Sequence, residues 1–480
     1  MGSFLNLNFD VLHLILDCCD RNTILQVMET CCFFNREGVQ YLLDEIPAIS
    51  TKAQASSFVQ FALPSRQSAD IAHRRNYIDS LQILSWEEEA QEVAQILKPF
   101  FILVAPLAPN LFHLEIEDAG SFFAGADAEL SASVASLTTL EVLVFRNVRE
   151  ETVKVLRALQ SRLIKAKVHY DVEFGPSAPE DMDPISCIRN SEDTLRSVSL
   201  RSTVSSPSAG CYRHVRALTL SYIDIPITYH FVHAFPNLRY LRASDCTARY
   251  TEVDHDLVAQ RKRAVNVAEQ AEKGSWDRLM SYKGSILMLY ALGLACRVSH
   301  VYIHDDVEEG MDPSQIRAIL GDTHPLHLTI RADGMGFILA RSGDFIALCR
   351  STQFLRLPSL RLDFRVWLGG PGWDSPDPEA IMNLIYDAIA PSPVTVVVLV
   401  IRFYGLVPEP PEPVIIALPP TSARAQAFLD NMDANAVADR LFTGNPSRGA
   451  VKVDIVNKRH VVFRGQQELI MDLDFDELFQ

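Results

Sequence analysis

Pro109-Asn110-Leu111-Phe112-His113-Leu114-Glu115-Ile116 sets large apolar residues at Leu111, Leu114 and Ile116, the last two alternating with polar neighbours. Alternation with a period of two places Leu114 and Ile116 on one face of a strand and turns His113 and Glu115 to the other. The spacing large-x-x-large-x-large occurs ten times, beginning at Ile78, Leu111, Leu140, Leu195, Val215, Leu238, Val298, Pro325, Leu357 and Val396. A weaker eleventh begins at Ala450. Pro-Asn-Leu also opens the instance at Pro236-Asn237-Leu238.

Successive starts lie 33, 29, 55, 20, 23, 60, 27, 32 and 39 residues apart. The two longest gaps are near double the others and predict either a cryptic repeat or an inserted helix. Helices are expected between strands at Trp86 to Phe101, Thr152 to Lys165, Val253 to Glu272, Trp276 to Leu294 and Pro378 to Ala390. No strand–helix unit buries its own apolar face, so neighbours must stack, with successive strands parallel. The pattern resembles leucine-rich repeats, which run at about 20–29 residues. The expected fold class is α/β: an N-terminal helical module followed by an irregular leucine-rich-repeat-like solenoid with parallel strands. An ordinary α/β domain carrying the pattern by coincidence is the alternative.

Residues 8 to 43 read as two or three short helices. Asn8 is placed to cap the first, with Val11, Leu12, Ile15 and Leu16 at helical spacing and Asp10 in the first turn. After the polar break Asp20-Arg21-Asn22-Thr23, Asn22 or Thr23 is expected to cap a second helix with Ile24, Leu25, Val27 and Met28 apolar. Phe33-Phe34 then leads through Asn35-Arg36-Glu37-Gly38 into Val39-Gln40-Tyr41-Leu42-Leu43. Roughly forty residues of this kind are too few to cover their own apolar surface, which points to docking.

The run Leu7-Asn8-Phe9-Asp10-Val11-Leu12-x-x-Ile15-Leu16, then Thr23-Ile24-Leu25-x-Val27 and Thr30-Cys31-x-Phe33, resembles a divergent F-box over roughly residues 4 to 47. Asn8 stands where that family usually has proline. The resemblance implies docking on the adaptor subunit of a cullin–RING ubiquitin ligase, with Leu7, Val11, Leu12, Ile15, Ile24 and Leu25 at or behind the contact. Joined to the repeats, the chain is similar to fungal-type proteins in which an F-box precedes such an array. A module that only caps the solenoid of a non-catalytic interaction scaffold is the competing reading.

Boundaries are expected at 4–47 for the helical module, 48–74 for a linker helix region, 75–465 for the solenoid and 466–480 for an acidic tail. Turn-rich stretches at 175–179, 202–210, 369–376 and 408–413 read as loops. Residues beside the last large position of each pattern point away from the core, onto the concave sheet. Leu84, Glu117, Arg146, Arg201, Ser221, Ser244, His304, Arg331, Asp363 and Arg402 follow that position, and Arg242, Tyr302 and Arg361 precede it. Six are arginines in a chain of formal net charge -16. With Tyr302 they are expected to hold a protein substrate through an acidic or otherwise negatively charged segment.

Asp and Glu outnumber Lys and Arg 60 to 44, which argues against a general nucleic-acid binder. The opening Met1-Gly2-Ser3-Phe4 lacks the basic start of a secretory signal. Ile286 to Cys296 is too short to cross a bilayer, and Ile96 to Ala108 is broken by Pro99 and Pro106. Nine cysteines without Cys-x-x-Cys spacing form no disulfide framework. The expected location is cytoplasmic and/or nuclear, without membrane attachment. There is no phosphate-binding glycine loop, no Gly-x-Ser-x-Gly and no His-Glu-x-x-His. His230-x-x-His233 and His324-x-x-His327 are weak metal candidates, better read as structural. Neither catalysis nor a cofactor is expected. The expected function is substrate recognition for an SCF-type ligase, acting by proximity while other subunits carry the ubiquitin chemistry.

Overall fold

The computed structural model describes residues 8–43, 47–63, 74–125, 127–171, 183–203, 206, 210–223, 226–246, 255–305, 312–333, 342–367, 378–404, 431–455 and 460–466. The chain divides into two compact units, Met1–Leu218 with His233–Asn237, and Thr219–Val232 with Leu238–Gln480.

The first unit opens with α1 (Phe9–Asp17), α2 (Arg21–Met28) and α3 (Cys32–Leu43). Asn8 caps α1, its side chain accepting from Asp10 N at 3.4 Å. The cap of α2 is Asp20 rather than Asn22 or Thr23. Its carboxylate accepts from Thr23 N at 2.8 Å, so Asn22 and Thr23 fall inside the first turn. Helix α3 runs unbroken through Gly38, where any side chain would strike Met28 of α2. Leu12, Leu16, Ile24, Met28, Phe34, Val39, Leu42 and Leu43 form the buried side of the three helices.

Strands β1 (Ala48–Ile49), β2 (Ser80–Ile83), β3 (His113–Ile116), β4 (Val142–Val148), β5 (Lys165–Tyr170) and β6 (Ser197–Arg201) pair in chain order, each parallel to the last. Between them in sequence come α4 (Lys52–Ala62), α5 (Glu87–Leu103), α6 (Ala119–Ala124), α7 (Ala128–Ala135), α8 (Glu150–Ala158) and α9 (Pro184–Cys187). Buried rings tie helices to sheet: Phe58, Phe100, Phe101, Phe122, Phe123 and Phe145 follow one another at centroid separations from 5.0 to 6.4 Å. Such pairs add about 0.5–1.5 kcal/mol each beyond their area burial. Pro99, read as a break in the apolar run from Ile96 to Ala108, lies inside α5, the helix expected from Trp86 to Phe101. Full burial of Leu97, Phe100 and Phe101 around it outweighs the roughly 3 kcal/mol cost of a proline in a helix interior. Glu87–Leu107 is long and apolar enough to cross a bilayer by composition; Leu97, Phe100 and Phe101 within it are packed in the protein core, whereas Leu103 and Leu107 are exposed.

Strand β7 (Ala217–Ile223) and α10 (Thr228–Ala234) fall at the division between units. In the second unit β8 (Tyr240–Cys246), β9 (Arg278–Gly284), β10 (Arg297–Asp305), β11 (His327–Asp333), β12 (Ser359–Trp367), β13 (Val396–Tyr404) and β14 (Ala450–Ile455) pair parallel in chain order. The expectation of parallel strands fails at the end, where β15 (His460–Gly465) runs antiparallel to β14. Only residues 456–459 separate the two, and so short a return makes a hairpin, because a parallel neighbour needs a crossover of about a dozen residues or more. The helices of this unit are α11 (His255–Lys273), α12 (Ile286–Leu292), α13 (Pro313–Thr323), α14 (Ser342–Cys349), α15 (Pro378–Ile389) and α16 (Ala434–Thr443).

Both long gaps hold a cryptic strand. Helix α8 ends at Ala158 instead of reaching Lys165, and β5 fills the first gap. The helix expected from Trp276 to Leu294 is β9 followed by α12, split where Ser285 caps α12 by accepting from Met288 N at 3.2 Å.

A polar clamp holds α11 in place. The Asn266 amide donates to Pro226 O at 3.0 Å and Ala291 O at 2.8 Å, and its oxygen accepts from Thr228 N at 2.9 Å. Asn266 is 1% exposed, so no water replaces these partners. Asn266→Leu strands three backbone groups and is expected to cost about 4 kcal/mol, read as a fall in the urea midpoint. A loss under about 1 kcal/mol would rule out the clamp.

Candidate functional site

Two surfaces emerge, an apolar one on the N-terminal helices and a charged one on the strands. On α1 the pair Leu12 and Leu16 turns inward, one helical turn apart, which leaves Phe9 (64% exposed), Val11, Leu14 (63%) and Ile15 outside. Leu25 of α2 is likewise exposed, whereas Ile24 is buried. Of the six residues expected at an adaptor contact, Val11, Ile15 and Leu25 face outward and Leu12 and Ile24 fill the module's core; Leu7 lies outside the described residues. Phe9 and Leu14 extend that set. Leu14 sits three residues from Val11 on the same side of α1, and the Phe9 ring packs against Phe33 at 5.1 Å, tilted by 46°.

The strand face is set by register. In the first unit Gln82, Glu115, Val144, Lys167 and Ser199 lie side by side across β2 to β6, and His169 pairs with Arg201 one step further. Asn147 (φ 50) and Ser202 (φ 54) follow Arg146 and Arg201 in the left-handed region. The turn returns Val148 and Thr203 to the core while the arginines stay outward.

The charges on this face are unevenly matched. Arg146 is held by Glu115 at 3.0 Å and by Glu117. The Gln82 amide donates to Glu115 at 2.8 Å. Lys165 and Lys167 make no ion pair among the described residues. Burial pushes the Lys167 ammonium below its ordinary range, and Lys165 and Arg146 push it further. His169 shares a 3.2 Å hydrogen bond with the Ser199 hydroxyl. Burial lowers its pKa to about 4, helped by Arg146, Arg201 and Lys167. Positive potential therefore accumulates over β5 and β6, where an anion would relieve it.

In the second unit Arg242, Lys283, Tyr302, Thr329 and Arg361 form one cross-strand row, and His304, Arg331 and Asp363 the next. The Lys283 ammonium lies 4.9 Å over the Tyr302 ring. Arg402 donates to both oxygens of Asp363, at 3.3 and 3.4 Å. The polar rows stop at β13, where Val396, Val398 and Val400 are buried with Ala450 and Phe463 packs against them. On β10 and β11, His300 and His327 stack at 4.5 Å, and burial, then His327 and Arg278, bring His300 to about 4.

Arg146 and Arg402 are thus tied to carboxylates, Arg402 reaching Asp363 from two residues beyond Val400, the register partner of Asp363. Lys165, Lys167, His169 and Lys283 escaped the sequence reading because their strands did. The alternation Lys165-Ala166-Lys167-Val168-His169-Tyr170 was the available signal. His324 ends α13 in a left-handed conformation, apart from the stack that His327 makes with His300. Among the described residues no three His, Cys, Asp or Glu side chains gather to hold a metal ion.

The fold and these surfaces define a repeat-like α/β protein with parallel strands, opened by a three-helix module. No protein-family model matches the chain, and no curated protein matches it.

Proposed function

We propose that the chain is the substrate-recognition subunit of a cullin–RING ubiquitin ligase, with α1 and α2 docked on the adaptor and the strand face holding a protein substrate. The carrying observation is the exposed row Phe9, Val11, Leu14, Ile15 and Leu25 on helices whose core is already filled by Leu12, Leu16, Ile24 and Met28. A clustered apolar surface of this kind marks a contact with another macromolecule. It overlaps the residues that resemble an F-box. The cationic surface of β5 and β6 supports the second half of the reading, since it complements an acidic segment. Holding a substrate near a transferring enzyme requires no nucleophile here.

Ile15→Asp combined with Leu25→Asp is expected to abolish co-purification with the adaptor while leaving the thermal midpoint nearly unchanged, because both side chains are exposed. Leu12→Asp is unsuited to the test, since it would bury a charge. In the same assay Lys167→Glu with Arg201→Glu is expected to retain the adaptor and lose a fluorescent Asp/Glu-rich dodecapeptide. Undiminished adaptor binding by the Ile15/Leu25 variant would leave the helices as a mere cap on a scaffold.

A further inference from the structure

We propose that the cleft between α2 and α4 is a binding site for an amphipathic carboxylate, an apolar body bearing one anionic group. The cleft holds about 550 Å³. Small-ligand sites span about 300–1,000 Å³ and pair apolar walls with a few polar groups. Leu25, Ile49, Phe58 and Phe61 supply the walls here, with the Ser57 hydroxyl on the same lining.

Charge selects the ligand class. Arg21, the first residue of α2, is the one charged side chain among the described residues that line the cleft, and none of these carries a carboxylate. Arg21 has no ion-pair partner among the described residues. An apolar ligand with a carboxylate gains hydrocarbon burial and a two-pronged guanidinium contact together. A cationic ligand meets Arg21 unfavourably, and a single cation is too few for a polyanion such as a nucleotide.

The cleft is preformed. Phe58 packs edge to face against Phe100 at 5.0 Å behind it. The Arg74 guanidinium covers the Phe61 ring at 4.7 Å and donates to Phe61 O at 2.7 Å, fixing that wall. Walls held from behind lose little freedom on binding, which favours affinity. Leu25 is shared with the exposed apolar residues proposed to meet an adaptor, so the cleft is tested on the chain without an adaptor present.

Isothermal titration of the full chain with dodecanoate, below its micelle concentration, tests the assignment. One dodecanoate per chain is expected, with 1-dodecanol binding about tenfold more weakly. Arg21→Gln is expected to weaken dodecanoate about tenfold and leave dodecanol unchanged. Ser57→Phe, which plugs the opening from an exposed position, is expected to abolish both without altering the thermal midpoint; Ala53→Phe serves if it does not fold. No saturable binding, binding indifferent to both plugs, or dodecanol matching dodecanoate would each overturn the proposal. So would a peptide with a C-terminal leucine outcompeting dodecanoate, which would assign the cleft to a partner's chain end.

Discussion

Gly284→Ala is expected to lower the stability of the second unit by about 4 kcal/mol, a large effect for the addition of a single methyl group. Gly284 ends β9 in register with Ala243 of β8, and a methyl there would overlap the Ala243 carbonyl oxygen. That oxygen accepts from Ser285 N at 3.1 Å and from the Tyr282 hydroxyl at 3.1 Å, and both donors are buried. The obstacle is backbone, so no side chain can swing aside. Relief requires β8 and β9 to part, which leaves the buried Ser285 N–H unsatisfied and confines the Tyr282 hydroxyl to Ser285 O at 3.0 Å. Gly343→Ala is the matched control: nothing lies within 4 Å of the added methyl in the first turn of α14. It is expected to be neutral or to stabilise by up to roughly 1 kcal/mol. Urea unfolding followed by the fluorescence of Trp276, 3% exposed in the same unit, separates the two variants. Equal midpoints would mean that β8 and β9 do not approach as closely as this register requires.

In the first unit, two buried groups are expected to drive stability in opposite directions with pH. His169 titrates near 4 in the fold against 6.5 unfolded, chiefly through burial and then the cations around it. Its contribution is therefore complete above pH 6.5 and lost as pH falls towards about 4. Asp183 is pushed up to about 6 from 3.8 by burial; the amide of Ile185, 3.0 Å from its carboxyl, only partly offsets this. Its contribution is complete below pH 3.8 and lost as pH rises through about 6. Each change amounts to about 3 kcal/mol, and over the shared window they largely cancel. The variants expose them separately. For His169→Gln, the advantage of the parent chain should shrink by about 3 kcal/mol between pH 7 and pH 4. For Asp183→Asn, which keeps a capping oxygen on α9, it should shrink by a similar amount as pH rises across the same range. A difference that stays flat for either variant removes that group from the account. An acidic ligand on β5 and β6 should also raise the His169 pKa, so its capture should strengthen as pH falls.

Most of the strands that the sequence revealed have large residues at all three pattern positions. Leu111, Leu114 and Ile116 announce β3, and Leu357, Leu360 and Leu362 announce β12. The strands missed in the two long gaps keep the same spacing with one position reduced. Leu163-x-x-Ala166-x-Val168 leads through β5 with a small middle residue. Leu279-x-x-Tyr282-x-Gly284 is β9 with glycine in the last position, where the neighbouring backbone leaves no room. At β9 a requirement imposed by the adjacent strand erased the apolar signal. With those strands went Lys165, Lys167, His169 and Lys283, the polar residues that β5 and β9 add to the strand face.

By itself the sequence determined the class of architecture and the capped start of α1, because period-two apolar spacing and an asparagine before a helix act locally. It also located the apolar N-terminal helices, though not which of their residues remain outside. Tertiary structure alone decided that Leu12 and Ile24 face inward while Phe9 and Leu14 do not. It alone tied Arg146 to Glu115 and Arg402 to Asp363 while leaving the β5 lysines without such partners. Burial and charge compensation depend on which strands and helices come to lie side by side, and residues distant in the chain become neighbours only once it has folded.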